Sequence, residues 1–385
     1  MNHPPNISAE IVIVGAGLAG AAAAAVLGRQ GHRVILVDPR PSYPRVFKAE
    51  KLEPNQAELL RKFGLLEHVL PCAGEVREIR VAYDGRVFKT FPIEQYGVIY
   101  SDMVNSIRAR LPGNVEFRLG RAEATANGGD FQTLKLGDGQ ELAARVIILA
   151  SGVNNGFHSS LRLRRRVLRR DQSQAFGFTI ARCDTQPFDF DSVTYYSIDP
   201  SSCIDYLSLF KVRQTMRANL FVFRTPGDPW VRTFIQEPDR MLRQHLLKLE
   251  RVIGKYQIVS KIEFGRADLF RLDGDPPPGV VLIGDSFQSV CPSTGTGIDK
   301  VLTDVDVLAE CVPRWLETPG LGSDKLAAFY QHPRKLAIDA RSLWSANHHW
   351  HAAMDRSVRW RIFRFLLHHK WRLQSAAEIL RRMGR

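Results

Sequence analysis

The chain has 385 residues, 44% hydrophobic and 24% charged, enough for two or three structural units sharing one large core and too ordinary a mix for a fibrous or disordered protein. Lys and Arg outnumber Asp and Glu by 53 to 40, and the net charge of +13 favours solubility and a diffuse attraction for anions. Cys72, Cys183, Cys203, Cys291 and Cys311 show no Cys-x-x-Cys spacing, which argues against zinc or disulfides and fits a reducing cytosol, and neither a secretory leader nor a membrane-spanning apolar run is read.

In chain order, Ile11–Val14 is a short apolar run ending at glycine and predicts a buried parallel strand. Ala16–Leu27 predicts an alanine-rich helix ended by Gly31, and Arg33–Val37 the next strand, giving a βαβ unit. Asn55–Phe63 predicts a helix, Glu75–Lys89 a hairpin turning at Asp84-Gly85, and Asp102–Leu111 a helix. Val115–Leu119, Thr133–Leu136 and Glu141–Leu149 read as strands, the last two joined at Asp138-Gly139. From Ala175 to Phe223 the chain turns β-rich and aromatic, and Phe176–Ile180, Val193–Tyr196, Ile204–Phe210 and Asn219–Phe223 predict an antiparallel sheet. Arg240–Val252 is helical, Val280–Ile283 returns to the buried-strand pattern, and the chain from Ser323 onward reads as mostly helical. The expected class is α/β: a Rossmann-like domain with a parallel sheet, an inserted antiparallel β substrate domain, and a helical C-terminal part.

The first candidate site is Gly15-Ala16-Gly17-Leu18-Ala19-Gly20, a Gly-x-Gly-x-x-Gly directly after a strand and opening a helix. Gly15 permits the tight turn, Gly17 lets a pyrophosphate approach the backbone, and Gly20 lets helix and strand pack closely. The helix N-terminus offers free N–H groups to phosphate. Asp38, followed by Pro39 and Arg40, ends the second strand where a carboxylate accepts from ribose hydroxyls, favouring FAD or NAD over NADP. The second site starts at Gly284-Asp285, after a buried strand, and continues through Cys291 and Pro292 to Gly295-Thr296-Gly297-Ile298. A carboxylate there suits a ribityl hydroxyl. Backbone N–H groups beside Gly295 and Gly297 suit the flavin edge that gains negative charge on reduction. This second segment selects FAD.

At these residues the chain resembles the p-hydroxybenzoate-hydroxylase-type (group A) FAD-dependent monooxygenases over most of its length. Gly284-Asp285 looks like the family's ribityl motif and Pro292-x-x-Gly295-x-Gly297 like its isoalloxazine loop. The resemblance divides the chain into FAD-binding segments 1–72, 101–170 and 273–322, a substrate-side hairpin at 73–100, an antiparallel substrate domain at 171–272 and a helical region at 323–385. It departs from the family at three places: Lys48 stands for an arginine, Tyr100 for an arginine or glutamine, and Ala150-Ser151-Gly152 for an Asp-Gly motif. Lys48 still supplies a cation near the FAD phosphates or ribose, Tyr100 stands on the adenosine side, and Arg162 matches the family's trailing arginine. No Trp-x-Trp-x-Ile-Pro sequence of the related halogenases occurs.

The resemblance implies hydride reduction of FAD by NAD(P)H, reaction with dioxygen to a C4a-hydroperoxyflavin, and hydroxylation or epoxidation of an aromatic or lipophilic small molecule. Two alternatives stand beside it: a reductase or dehydrogenase of the geranylgeranyl-reductase type acting on carbon–carbon bonds, kept open by Ser151, and an FAD-containing scaffold without turnover. Tyr206, Phe210, Phe221 and Phe223 are candidates for the substrate pocket, with core packing as the competing reading, and Cys291 reads as a packing residue. The cations from Arg162 to Arg170 read either as an anion site or as a solvated loop. The pairs His348-His349 and His368-His369 read as solvated, since neighbours in a helix cannot share a face. The basic tail places Trp360, Phe363, Leu367 and Trp371 on one helical stripe, which packs on the body or lies on an anionic membrane. Expected partners are the small molecule and dioxygen, without nucleic acid or metal. The expected location is cytoplasmic, at most peripheral to a membrane's inner face, and the oligomeric state is left open.

Overall fold

The computed structural model describes residues 8–127, 129–153, 158–159, 161–197 and 200–383, with backbone alone at 126–127, 200, 368, 372 and 375–383. Strand β1 (Ala9–Val14) is apolar on both faces, and Ile11, Val12 and Ile13 are completely enclosed, so it runs through the middle of a parallel sheet. It pairs in parallel with β2 (Val34–Asp38) on one side and β9 (Glu141–Leu149) on the other. Strand β6 (Val115–Leu119) extends the sheet beyond β2, and β16 (Val280–Leu282) runs parallel to the end of β9. The hairpin of β7 (Ala122–Asn127) and β8 (Gln132–Leu136) adds antiparallel pairs to the start of β9. Helix α1 (Leu18–Arg29) is buried from Leu18 to Gly28, because its alanines add no bulk between helix and sheet. A Cβ on Gly20 would stand 1.8 Å from the Gly15 carbonyl oxygen, so only glycine allows the helix to start this close to β1.

The second sheet has the order β14-β10-β13-β12-β11-β4-β5-β3, with β15 also paired to β10. Its strands are β3 (Lys51–Leu52), β4 (Ala73–Tyr83), β5 (Arg86–Val98), β10 (Arg164–Arg182), β11 (Ser192–Tyr196), β12 (Ile204–Val212), β13 (Thr215–Val222), β14 (Tyr256–Ile258) and β15 (Glu263–Asp273). The hairpin of β4 and β5 turns at Asp84 and Gly85, both at positive φ, and joins the later strands through a parallel β4–β11 pairing. The arginine run is not a loop. Arg164, Arg165 and Arg166 open β10 and pair with Asp273, Leu272 and Arg271 of β15, so the backbone is satisfied by the ladder while Arg164, Arg166 and Arg170 stay exposed.

Helices α5 (Pro229–Gln236), α6 (Pro238–His245) and α7 (Glu250–Ile253) cover one face of this sheet, where Trp230, Phe234, Leu242 and Leu249 pack on Phe176, Phe178, Leu207 and Leu220. The smaller α2 (Pro54–Lys62), α3 (Leu66–Val69) and α4 (Tyr100–Arg108) contribute Leu60, Leu66 and Met103 to the core around α1. The C-terminal helices are α8 (Thr296–Glu317), α9 (Ser323–Tyr330), α10 (Pro333–Met354) and α11 (Val358–Met383). The tail stripe faces inward: Trp360 stacks on His351, Phe363 meets His348, and Trp371 stacks on Phe88 at 4.9 Å beside Tyr83 and Tyr196. A second apolar row of α11, Val358, Ile362, Phe365, Leu366 and Leu373, remains 54–68% exposed. The ring of His368 and the cations Arg372, Arg381, Arg382 and Arg385 lie outside the described side chains.

Candidate functional site

The opening turn is built for close approach. Gly15 has φ near +99°, and a Cβ there would lie 2.6 Å from the Ala150 carbonyl oxygen. At Gly17 a Cβ would meet only the ring edge of Tyr43, at 3.6 Å, so the backbone between Ala16 and Leu18 looks onto open space. Helix α1 has no side-chain cap and no acid in its first turn, so its leading N–H groups and the positive end of its dipole face that space. Asp38 is already oriented by its neighbours, accepting from the Ala16 amide at 2.8 Å and the Arg40 amide at 2.9 Å, while Pro39 and Arg40 are exposed. Small residues, free donors and an oriented carboxylate together fit the diphosphate and ribose of FAD.

The second segment meets the first directly. A Cβ on Gly284, at φ +58°, would lie 3.4 Å from the side chain of Ala19. Four buried charges fix that glycine. Its amide donates to Asp304 at 2.7 Å, and its carbonyl accepts from Lys300 at 3.2 Å. Lys335 pairs with Asp304 at 2.9 Å and Asp339 at 3.2 Å, and Lys300 with Asp339 at 3.4 Å, all four side chains at most 5% exposed. Desolvation pushes the Asp304 carboxyl up, but Lys300 and Lys335 hold it below the usual carboxylate range. The clamp leaves Asp285 half-buried beside the crevice.

Between the two segments stand the departures from the family pattern. Lys48 sits 5.4 Å from the Tyr100 ring, and Tyr100 packs on Tyr43 at 5.6 Å. Lys48 lies deep in the molecule yet keeps an open surface, as a side chain lining a cleft does. Burial draws its ammonium down, and Tyr100, Asp285 and Tyr43 raise it more, so it is charged at neutral pH. Ser151 faces Ser286, the hydroxyls 3.3 Å apart, and the Gly152 amide donates to Ser286 Oγ at 3.0 Å. The arginine that reaches back to this turn is Arg165, donating to the carbonyls of Val153 at 2.7 Å and Gly152 at 3.3 Å, whereas Arg162 is exposed. The loop from Pro292 ends at Gly295, φ +68°, which opens α8 without a side-chain cap; Gln56 donates to the Gly295 carbonyl at 3.0 Å. Thr296 hydrogen-bonds Thr294 at 2.7 Å, and Ile298 is buried against the core of α1. A Cβ on Gly297 would meet Val290 at 3.1 Å.

The aromatic candidates separate into three places. Tyr206 and Phe221 touch, with ring centroids 4.8 Å apart, and the Tyr206 hydroxyl donates to the Ser293 carbonyl of the Pro292 loop at 2.7 Å. Phe210 is buried with Val76 and Val212, and Phe223 with Leu269, Cys291 and Ala346. Cys291 is fully enclosed, 3.2 Å from Ser173 and Ser293, and burial pushes its thiol up, so it packs as a neutral group. Two features escaped the sequence reading. Glu50 and Arg217, both 2% exposed, form a two-pronged pair at 2.7 and 3.0 Å on the sheet beside the crevice. His349 is not solvated: it holds Asp205 at 2.7 Å beside Tyr206.

Comparisons with known proteins agree with this geometry. An FAD binding domain model matches residues 8–96. Rat squalene monooxygenase is 22% identical over 379 residues, covering 91% of this chain and 63% of that protein, so the chain spans less than two thirds of that relative. The 6-hydroxynicotinate 3-monooxygenase of Bordetella bronchiseptica is 25% identical over 371 residues, covering 88% of this chain and 90% of its own. In fold, the p-nitrophenol 4-monooxygenase of Pseudomonas putida superposes with a TM-score of 0.74 at 17% identity, covering 98% of both chains. The chain carries an FAD binding domain and is similar over most of its length to FAD-dependent monooxygenases.

Proposed function

We propose that the chain hydroxylates or epoxidises an aromatic or lipophilic small molecule, using FAD, dioxygen and NAD(P)H as electron donor. The observation that carries this reading is the meeting of the Gly15–Gly20 turn with the Gly284-Asp285 segment, while the Pro292 loop of the latter touches the aromatic face of the second sheet through Tyr206. FAD, when bound, supplies two-electron redox chemistry and activation of dioxygen. In this reading the α1 N-terminus and Lys48 bind the diphosphate, Asp38 and Asp285 orient ribose and ribityl hydroxyls, and the uncapped start of α8 stabilises charge on the flavin edge. Tyr206 and Phe221 exclude water from the substrate side. The test is turnover of candidate arenes and alkenes under 18O2: one labelled oxygen in the product supports a monooxygenase. Reduction or desaturation of a carbon–carbon bond without label would contradict it and point to a reductase.

We further propose that α11 rests on an anionic membrane surface. Among the described residues no helix is long and apolar enough to cross a membrane. The exposed row from Val358 to Leu373 is flanked by the exposed cations Arg359, Arg361 and Lys370, the pattern of a helix lying in an interface. Its inner side covers Phe88 and Tyr196, so such a surface would deliver lipophilic substrate beside the aromatic sheet.

A further inference from the structure

The arginines that open β10 are divided between two faces by strand alternation. Arg165 reaches back to the carbonyls of Gly152 and Val153. Arg166 points the other way and stands directly opposite Arg271 of β15. Like charges so placed repel, yet neither guanidinium has an ion pair or a hydrogen bond among the described residues. Both overhang a cavity of about 470 Å³ whose apolar lining is Leu168, Phe287, Tyr330 of α9 and Leu343 of α10. Leu168 is the extra residue where β10 slips against β15, and such a bulge re-aims a side chain. The Arg271 guanidinium lies 5.3 Å from the Phe287 ring. Asp273 and Asp275 line the same cavity without coming within ion-pair distance of either arginine. This is not the cofactor crevice. Phe287 packs with Val12, Val14 and Leu282, on the face of the parallel sheet away from Ile11, Ile13 and the alanines of α1. A purely structural role would pair the arginines with the nearby acids; what is built instead is an unneutralised cationic edge above an apolar floor.

We propose that this cavity is a second binding site, separate from the flavin and its substrate, for a monovalent carboxylate with a flat apolar body of one or two rings. The carboxylate lies between the two guanidinium forks, accepts from both and removes their repulsion. The apolar body rests on Leu168, Phe287 and Leu343. The cavity has the size of a small-molecule site, a class that runs from about 300 to about 1,000 Å³. The charges of the lining set the valence of the ligand. Arg166 and Arg271 are matched in number by Asp273 and Asp275, so the lining is neutral in total. A single negative charge seated between the arginines is attracted more strongly than the more distant acids repel it, whereas a phosphate dianion or a nucleotide diphosphate carries extra charge toward those acids. No covalent bond is made or broken at the site, and the inference stands apart from the monooxygenase reading.

The experiment titrates the full FAD-loaded chain at neutral pH, by calorimetry, with three probes of one ring system: 2-naphthoate, the neutral 2-naphthalenemethanol and 2-naphthyl phosphate. The expected result is 2-naphthoate bound about tenfold tighter than either of the others. Arg166→Gln combined with Arg271→Gln should lower the naphthoate affinity about tenfold and leave the alcohol unchanged. Leu343→Trp, which fills the floor, should weaken naphthoate and alcohol alike. Both variants should keep the flavin content of wild type, and the arginine variant, relieved of its opposed charges, should melt no lower than wild type. Naphthoate bound no tighter than the alcohol, or bound with undiminished affinity by the arginine variant, overturns the proposal, since it then sits elsewhere on the protein. 2-Naphthyl phosphate bound as tightly as naphthoate overturns the carboxylate assignment. None of these outcomes touches the monooxygenase reading, which the labelled-oxygen test decides.

Discussion

Glycines in the opening turn do different work, and substitution separates them. A Cβ on Gly20 collides with backbone at 1.8 Å, whereas one on Gly17 meets only a ring edge. Gly20→Val is therefore expected to cost at least about 3 kcal/mol of stability through overpacking against backbone. Gly17→Val is expected to fold within about 0.5 kcal/mol of wild type, since it lies away from such contacts, yet to purify colourless because the side chain fills phosphate space. Thermal melts beside the ratio of flavin to protein absorbance check both. At His349 the sign of the pH dependence follows from the raised folded pKa. Its pairing with Asp205 contributes in full below the ordinary histidine value of 6.5 and is lost as pH rises through the higher folded value. The melting-temperature gap between wild type and Asp205→Asn should narrow as pH is raised from 6 to 9, and a gap that widens would contradict the pairing. These residues also show what sequence reveals. The Gly-x-Gly-x-x-Gly turn, Asp38 and Gly284-Asp285 were legible because their local spacing is itself the signal. Asp205 and His349 lie 144 positions apart and meet only through a bulge, which leaves no trace in composition.

At the scale of elements, α8 and α10 are joined by charge rather than by an apolar seam alone. Lys300 and Asp304 are spaced i, i+4, as are Lys335 and Asp339, and the two pairs interlock beneath Gly284. The i, i+4 spacing is local to each helix, but other charges share both helices, and which pair faces which required the fold. Lys335→Met should destabilise the protein by about 3–5 kcal/mol, because Asp304 and Asp339 lose a buried counter-charge. Lys335→Met combined with Asp339→Leu should recover a large part of that loss, and urea titrations of the single and double variants measure it. Helix α11 carries two apolar rows, of which sequence pattern isolated the inward one. Phe365→Glu with Leu366→Glu should abolish sedimentation with anionic vesicles and leave the melting temperature within a few degrees of wild type. Unchanged sedimentation would remove the membrane assignment. Of the two readings of the arginine run, the loop fails from Arg164 onward, because strand alternation is hidden when both faces carry cations and only pairing with β15 shows that the backbone is laddered.

At the scale of the whole molecule, sequence order already implied a parallel-sheet domain interrupted by an antiparallel sheet, since apolar runs without alternation and aromatic runs with it occupy separate stretches. It did not reveal that the early hairpin joins the later strands through a parallel β4–β11 pairing, a contact more than 100 residues long in sequence. A cofactor gripped by both glycine-rich segments would bind the native fold and not the unfolded chain, so FAD at about 100 times its Kd should add about 2.7 kcal/mol of stability. The most direct measurement of the central claim is the FAD dissociation constant of wild type, Gly17→Val and Asp285→Ala, read by quenching of flavin fluorescence. One FAD per chain in wild type, with affinity lowered at least about a hundredfold by each substitution in a protein that still melts cooperatively, is the predicted result. A colourless wild type that takes up no FAD, or either variant binding FAD as tightly as wild type, would contradict it.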